Sequence, residues 1–284
     1  MSAGATLLGG PAAPVRRRVV RAGFAPLLVA ALAALIAFLT LPVVAIFVDT
    51  SPGALVSSLG DEAVLSALRL SLECTLIAVT IIVLVGTPAA YLLATRRFPG
   101  RTIVVTLVEL PLVLPPAVAG IGLLAALGPR GLVGGAVADA GIELALQTAG
   151  VVVALVFVAA PFFVRQAQAA FEAIDHSWLD ASRTLGASEA RTFLRVAVPA
   201  AAPGLGAGLA LAWGRALGEF GATIMFAGSL RGVTQTAPLA IYELFSGDFD
   251  GALALSAVLV AVAAALLLSV KLLSGAAILG GAAR

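Results

Sequence analysis

Two pairs of opposite charges interrupt apolar stretches of this 284-residue chain: Arg69 with Glu73, and Arg215 with Glu219. Residues four apart on a helix share a face and can neutralise each other. Charge inside an apolar run is costly and marks either a polar pathway or a paired packing contact. Two kinds of chemistry therefore stay open. Arg215, Glu219 and Thr223, with the prolines Pro115 and Pro116, can line a route that guides an anion; alternatively the ion pairs only fix helix packing. Glu109, just before Pro111, reads as a hydrogen-bonding partner rather than a site.

Residues for bond-breaking catalysis do not assemble in the sequence. The one histidine, His176, has no Cys or His at ligand spacing, so no metal site is expected. The one cysteine, Cys74, lies among aliphatic residues and reads as packing. There is no serine elbow and no glycine-rich phosphate loop, and Lys271 is the only lysine. No cofactor is expected on this chain, and any ATP it depends on must be bound with Mg and hydrolysed by a partner.

The elements that position these residues are set by composition. Hydrophobic residues make up 61% of the chain and charged residues 11%. Soluble domains hold about 25% charged residues, so lipid must be the solvent here. The reading is an all-α integral membrane protein with about six spans. A tail of residues 1–23 ends in Arg16, Arg17, Arg18 and Arg21, and residues 24–284 form a single transmembrane domain. The spans run over about 24–48, 65–94, 103–127, 148–164, 200–226 and 252–273. Pro111, Pro115 and Pro116 must kink the third. The segments 49–62, 128–147 and 227–250 read as loops, the middle one with room for a short helix.

Basic residues orient the spans, because they collect on the cytoplasmic side. Placing the N-terminus inside puts thirteen of the 17 Lys and Arg residues in inner segments: the four of the tail, Arg96, Arg97, Arg101, Arg165, Arg183, Arg191, Arg195, Lys271 and Arg284. Only Arg130 and Arg231 fall in outer loops. Both termini are thus expected in the cytoplasm, in a multi-pass protein of the plasma (inner) membrane. The arginines gather on no single amphipathic face, so nucleic acid is not an expected partner.

The long inner segment, about 166–198, carries its own pattern. Asp175 can cap a helix on which Trp178, Ala181, Ser182 and Leu185 recur at helical spacing. Gly186 suits that helix's C-terminus. Ser188 can cap a second helix bearing Ala190, Phe193, Leu194 and Ala197, which Pro199 is expected to close. A pair of short amphipathic helices can dock on another protein or lie on lipid headgroups, and the pattern leaves both open.

Asp180-Ala181-Ser182, three residues, Gly186, nine residues, then Val196-x-Val198-Pro199 resembles the coupling motif of binding-protein-dependent ABC importer permeases. In that family the motif reads Glu-Ala-Ala, three residues, Gly, nine residues, Ile-x-Leu-Pro; Asp180 and Ser182 are this chain's departures. The resemblance implies that Asp180, Ala181, Ser182 and Gly186 couple the chain to an ATP-binding subunit. The run Gly214–Gly228, with Gly214-Arg215-Ala216-Leu217-Gly218-Glu219-Phe220-Gly221-Ala222-Thr223-Ile224-Met225-Phe226, resembles the fifth span of molybdate permeases. Thr234–Tyr242 and Glu109–Gly120 are similar to segments of the same family. Ser229 stands where that family often has Asn. Sulfate permeases share much of this pattern.

The resemblance implies a channel-forming subunit of an ATP-driven importer of molybdate or tungstate. Its expected partners are two ATP-binding cassette subunits, a second copy of this chain and an extracytoplasmic oxyanion-binding protein. The alternatives are the same machine moving sulfate or thiosulfate, and a secondary anion transporter. No inverted repeat is visible to favour the last.

Overall fold

The structure, a computed structural model, describes residues 24–281. The tail of residues 1–23 and Arg284 lie outside the described residues. The chain divides into two compact units, one ending at Ala45 and one beginning at Ile46. The first contains most of α1 (Phe24–Asp49), a 26-residue apolar helix with Pro42 inside.

The second unit is helical throughout its elements: α2 (Pro52–Gly60), α3 (Glu62–Thr95), α4 (Arg101–Val113), α5 (Pro116–Leu127), α6 (Gly134–Asp139), α7 (Thr148–Glu172), α8 (His176–Thr184), α9 (Glu189–Thr192), a π-helical turn (Phe193–Ala197), α10 (Val198–Leu217), α11 (Gly221–Ala227), α12 (Ala237–Phe245) and α13 (Phe249–Gly281). Among the described residues, five helices are long and apolar enough to cross a bilayer: α1, α3, α7, the continuous run Glu189–Leu217, and α13 over Phe249–Val270. About 20 residues are needed for one crossing. With 13 and 12 residues, α4 and α5 are each too short; bent by 118° at their junction, they make a sixth span only together.

The core of this unit lies between α3 and α7. Cys74, Ala78, Ile82 and Ala90 of α3 are buried with Val151, Leu155, Ala159 and Phe163 of α7. Lipid tails are as apolar as leucine, so helices in a bilayer hold together by close packing and polar links. Small residues supply the packing. A methyl group on Gly86 would sit 2.9 Å from the Phe163 ring, and one on Gly204 of α10 would sit 2.3 Å from Cβ of Ala170 on α7. Gly208, one turn on, meets Phe163 and Gln166 in the same seam. These glycines of the fifth span thus serve packing within the chain. Gly204→Leu is expected to destabilise the fold by at least about 1–3 kcal/mol through overpacking. Gly214→Leu, where the space is open, should cost much less. Thermal unfolding in detergent compares the two.

Several boundaries differ from the sequence reading, each for a local reason. The segments 49–62 and 227–250 are not plain loops but carry α2 and α12. Pro52 and Pro238 sit in their first turns, where a missing N–H costs nothing. The third span is two helices, because Pro115 and Pro116 end the ladder where they stand. The fourth does not stop at Arg165; α7 continues to Glu172. Pro199 does not close the second helix of the 166–198 segment. It lies at the start of α10, and the π turn carries α9 into α10 without a break through Val198 N–H bonding to the Phe193 carbonyl. The fifth span is interrupted at Gly218-Glu219-Phe220, between α10 and α11.

Candidate functional site

The first group of candidate residues sits on the α8–α9 module. The Asp175 carboxylate accepts from Ser177 N–H at 2.9 Å, as an N-cap must. That backbone hydrogen bond holds the Asp175 carboxyl below its ordinary range. A depressed folded value means the cap is fully present above the ordinary aspartate value and lost only as pH falls through the folded one. The difference in amide exchange over residues 176–184 between wild type and Asp175→Ala should therefore be constant across neutral pH and vanish only in acid.

The far end of α8 closes as a Schellman motif. Gly186 takes φ 81°, its N–H bonds to the Arg183 carbonyl at 2.9 Å, and Ala187 N–H bonds to the Ser182 carbonyl at 3.1 Å. The chain then turns into α9, where the Ser188 hydroxyl accepts from Arg191 N–H.

Two contacts join the two helices, one between hydroxyls and one between charges. The Ser182 and Thr192 hydroxyls meet at 3.0 Å. Arg183 reaches Asp180 at 2.9 Å and Glu189 at 2.9 Å, and Glu189 also lies 3.6 Å from Arg96 at the end of α3. Hydrogen bonding to Glu189 raises the Arg183 pKa further; a guanidinium is always charged in a protein. Beneath the module, Tyr91, Phe171 and Phe193 form an aromatic cluster with centroids 4.9–6.3 Å apart. Leu179 is buried in the same core.

With Leu179 inward, the residues spaced for an apolar face divide. Ser182 turns partly toward Thr192, while Trp178 (56% exposed), Ala181 and Leu185 (88% exposed) stay on the outside. A rigid, exposed apolar face ringed by charge suits docking on a protein of matching shape.

The second group lies where two helix breaks meet. Pro116 begins α5, and a methyl group on Gly221, the first residue of α11, would sit 2.6 Å from its Cβ. Gly120 one turn along α5 lies as close to the Ala222 carbonyl and to Met225. The two breaks are thus packed side by side. Glu219, 1% exposed, spans one of them. Its Oε1 accepts from Ala222 N–H at 2.7 Å, and its Oε2 pairs with Arg215 at 2.6 Å. It therefore satisfies a donor that the interruption would otherwise orphan. Thr223 is fully buried on α11 with its hydroxyl unpartnered, whereas Pro115 and Pro116 are exposed. Arg69 and Glu73 pair at 2.7 Å on the exposed face of α3. Glu109 pairs with Arg165 of α7 at 2.8 Å.

Sequence reasoning did not single out Arg183, Glu189 or the helix-capping role of Glu219. The i, i+3 spacing of Asp180 and Arg183 was a signal for the first. A charged residue directly after a glycine within a span was a signal for the last.

Comparison with known proteins places this geometry. Residues 86–279 match the family described as "Binding-protein-dependent transport system inner membrane component". The chain is 41% identical over 237 residues to the molybdenum transport system permease protein ModB of Mycobacterium tuberculosis, covering 83% of this chain and 89% of that one. It is 35% identical over 211 residues to the sulfate transport system permease protein CysT of Salmonella typhimurium, covering 74% and 76%. A solved bacterial ABC transporter that imports the acidic polysaccharide alginate shares the fold. Its TM-score is 0.72 at 17% identity, with 88% of this chain and 94% of that chain covered. The chain belongs to the binding-protein-dependent transport system inner membrane component family: it is a multi-pass ABC importer permease, a transport subunit rather than an enzyme.

Proposed function

We propose that this permease translocates molybdate, or the closely similar tungstate, into the cytoplasm. ATP with Mg is hydrolysed on separate ATP-binding subunits. The observation that carries the substrate class is the 41% identity to a molybdenum permease over 83% of the chain, against 35% over 74% to a sulfate permease. The working complex is read as two copies of this chain, two ATP-binding subunits and an extracytoplasmic oxyanion-binding protein, with both termini cytoplasmic. In it the α8–α9 module, through Asp180, Ala181, Ser182 and Gly186, receives the motion of the ATP-binding subunit. Its exposed Trp178, Ala181 and Leu185 supply the contact, and the charge clasp around Arg183 supports the rigidity such a contact needs. The junction of the two broken spans, with Pro115, Pro116, Glu219 and Thr223, stands beside the route of the ion. Arg215 is compensated there by Glu219, which suits a pathway that releases its cargo rather than holding it.

The test is ATP hydrolysis by the reconstituted complex in liposomes, with the binding protein loaded with molybdate, tungstate or sulfate in turn. Stimulation by molybdate or tungstate alone supports the reading. Stimulation by sulfate alone replaces it with sulfate import, and uptake by this chain without any ATPase would overturn it.

A further inference from the structure

None of the residues of the half-helix α4 is buried. Its half-buried residues are Arg101, Val105, Val108, Glu109 and Pro111, at spacings that put them in a stripe on one side of the helix. Ile103, Leu107 and Val113 are exposed. In a bilayer an exposed apolar face is satisfied by lipid, so it neither drives α4 onto α7 nor resists its departure. The stripe has no small residue to allow a close backbone approach. Val105 and Val108 touch the margin of the α3–α7 core, but no residue of α4 enters it, so the polar links at both ends of the stripe weigh heavily in where α4 sits.

Those links form one chain of hydrogen bonds and ion pairs along α7. Glu109 of α4 pairs with Arg165 at 2.8 Å. Arg165 donates to Gln168 Oε1 at 3.3 Å, and Gln168 donates to Glu172 Oε1 at 2.8 Å. Glu172 also accepts from Arg101 at 2.9 Å, and Arg101 in turn donates to the Leu93 carbonyl of α3 at 2.8 Å. Both ends of α4's inner stripe are thus tied to α7, and its first residue is tied to α3 as well. On either side of α4 the backbone can turn. Gly100 before it has φ 85°, and Leu114–Pro115 after it has lost the helical ladder.

We infer that α4 is a moving element of this permease and that Glu109–Arg165 and Arg101–Glu172, joined through Gln168, are the positioning clasp that holds it in the state seen here. A transport subunit changes conformation during its cycle, and elements that move relative to their neighbours come from the less buried, less stable regions of a structure. The four charged residues fix where α4 rests; none needs to touch the transported ion. The inference rests on the chain being a transport subunit and is independent of which ion it carries.

The experiment reads the position of α4 without transport. Val108→Cys is made in a Cys74→Ala chain and reacted with a polar maleimide, in the full chain assembled with its ATP-binding subunits in nanodiscs. In a parallel Cys74→Ala chain, Leu155→Cys, buried on α7, checks that the fold is retained. Glu109→Gln and Glu172→Gln are each expected to raise the Val108→Cys labelling rate several-fold while Leu155→Cys stays unlabelled. The swap Glu109→Arg with Arg165→Glu should return the rate toward that of the unaltered clasp. Unchanged labelling in both single variants would overturn the inference, and so would a swap that labels as fast as they do. If one variant also exposes Leu155→Cys, the other end of the clasp decides. Failure of molybdate to stimulate ATP hydrolysis would leave these labelling rates untouched, so the substrate reading and the clasp fail separately.

Discussion

Gly186→Asp is expected to abolish productive assembly with the ATP-binding subunit while leaving the permease itself folded. The reason lies in the turn. Gly186 holds φ 81°, and nothing lies within 4 Å of where its Cβ would be. Aspartate is one of the few side-chained residues that enter this left-handed region readily, so the Schellman turn survives. Its carboxylate then points into the open space where we place the partner. An unpaired carboxylate buried at such a contact costs at least roughly 2–3 kcal/mol, a loss of about 30–150-fold in affinity. Gly186→Ala adds no charge and should be far milder. Co-purification and stimulated ATP hydrolysis measure the loss. Intact assembly and full stimulation with Gly186→Asp would remove the coupling assignment.

The second large effect is expected at Glu219. Removing one partner of a buried ion pair leaves an uncompensated charge and costs about 3–5 kcal/mol. Glu219→Ala does this to Arg215 and also strips the acceptor from Ala222 N–H. Glu219→Gln keeps an oxygen for that N–H and should fall between, at about 1–3 kcal/mol. Combining Arg215→Met with Glu219→Gln should recover some of the loss, because no charge is then stranded. Thermal unfolding of the four proteins in detergent gives the ordering. If Glu219→Ala and Glu219→Gln were equally mild, the carboxylate would not be what joins α10 to α11.

The α8–α9 module was the region of the fold most legible in the sequence. Asp175, Gly186 and Ser188 each have a local physical job, and each performs it in the structure. The apolar spans were legible for the same reason, since length and hydropathy are summed over many residues. The outward or inward direction of single side chains was not. Spacing grouped Trp178 with Ser182, yet packing buries Leu179 instead and turns Ser182 to Thr192. Prolines were read too uniformly. Pro52, Pro199 and Pro238 sit in the first turns of helices that run on past them, whereas Pro115 and Pro116 separate α4 from α5. What distinguishes the cases is position: a proline in a first turn lacks an N–H that would be unpaired anyway, whereas the residues before Pro115 and Pro116 are pushed out of the helical region and α4 ends there. The break at Glu219 was signalled only weakly, by Gly218 and Gly221 on either side of it, and its contact with α5 is not visible in the sequence.

That contact also bears on how the chain is made. A helix interruption presented to hydrocarbon leaves backbone polar groups without partners, at several kcal/mol apiece. Two prolines at the first break lower the number of N–H groups at risk, but carbonyls remain. Part of the cover comes from α7, which packs Ala154 and Val158 against Ala119 and Leu123 of α5; the rest comes with Pro116 against Gly221 and Gly120 against Ala222, about a hundred positions further along the chain. During synthesis, therefore, α4 and α5 cannot settle into their final bent arrangement when they leave the ribosome. The packing of this bend is completed late, once α11 has been made, and the pairing of the two breaks is a non-local contact.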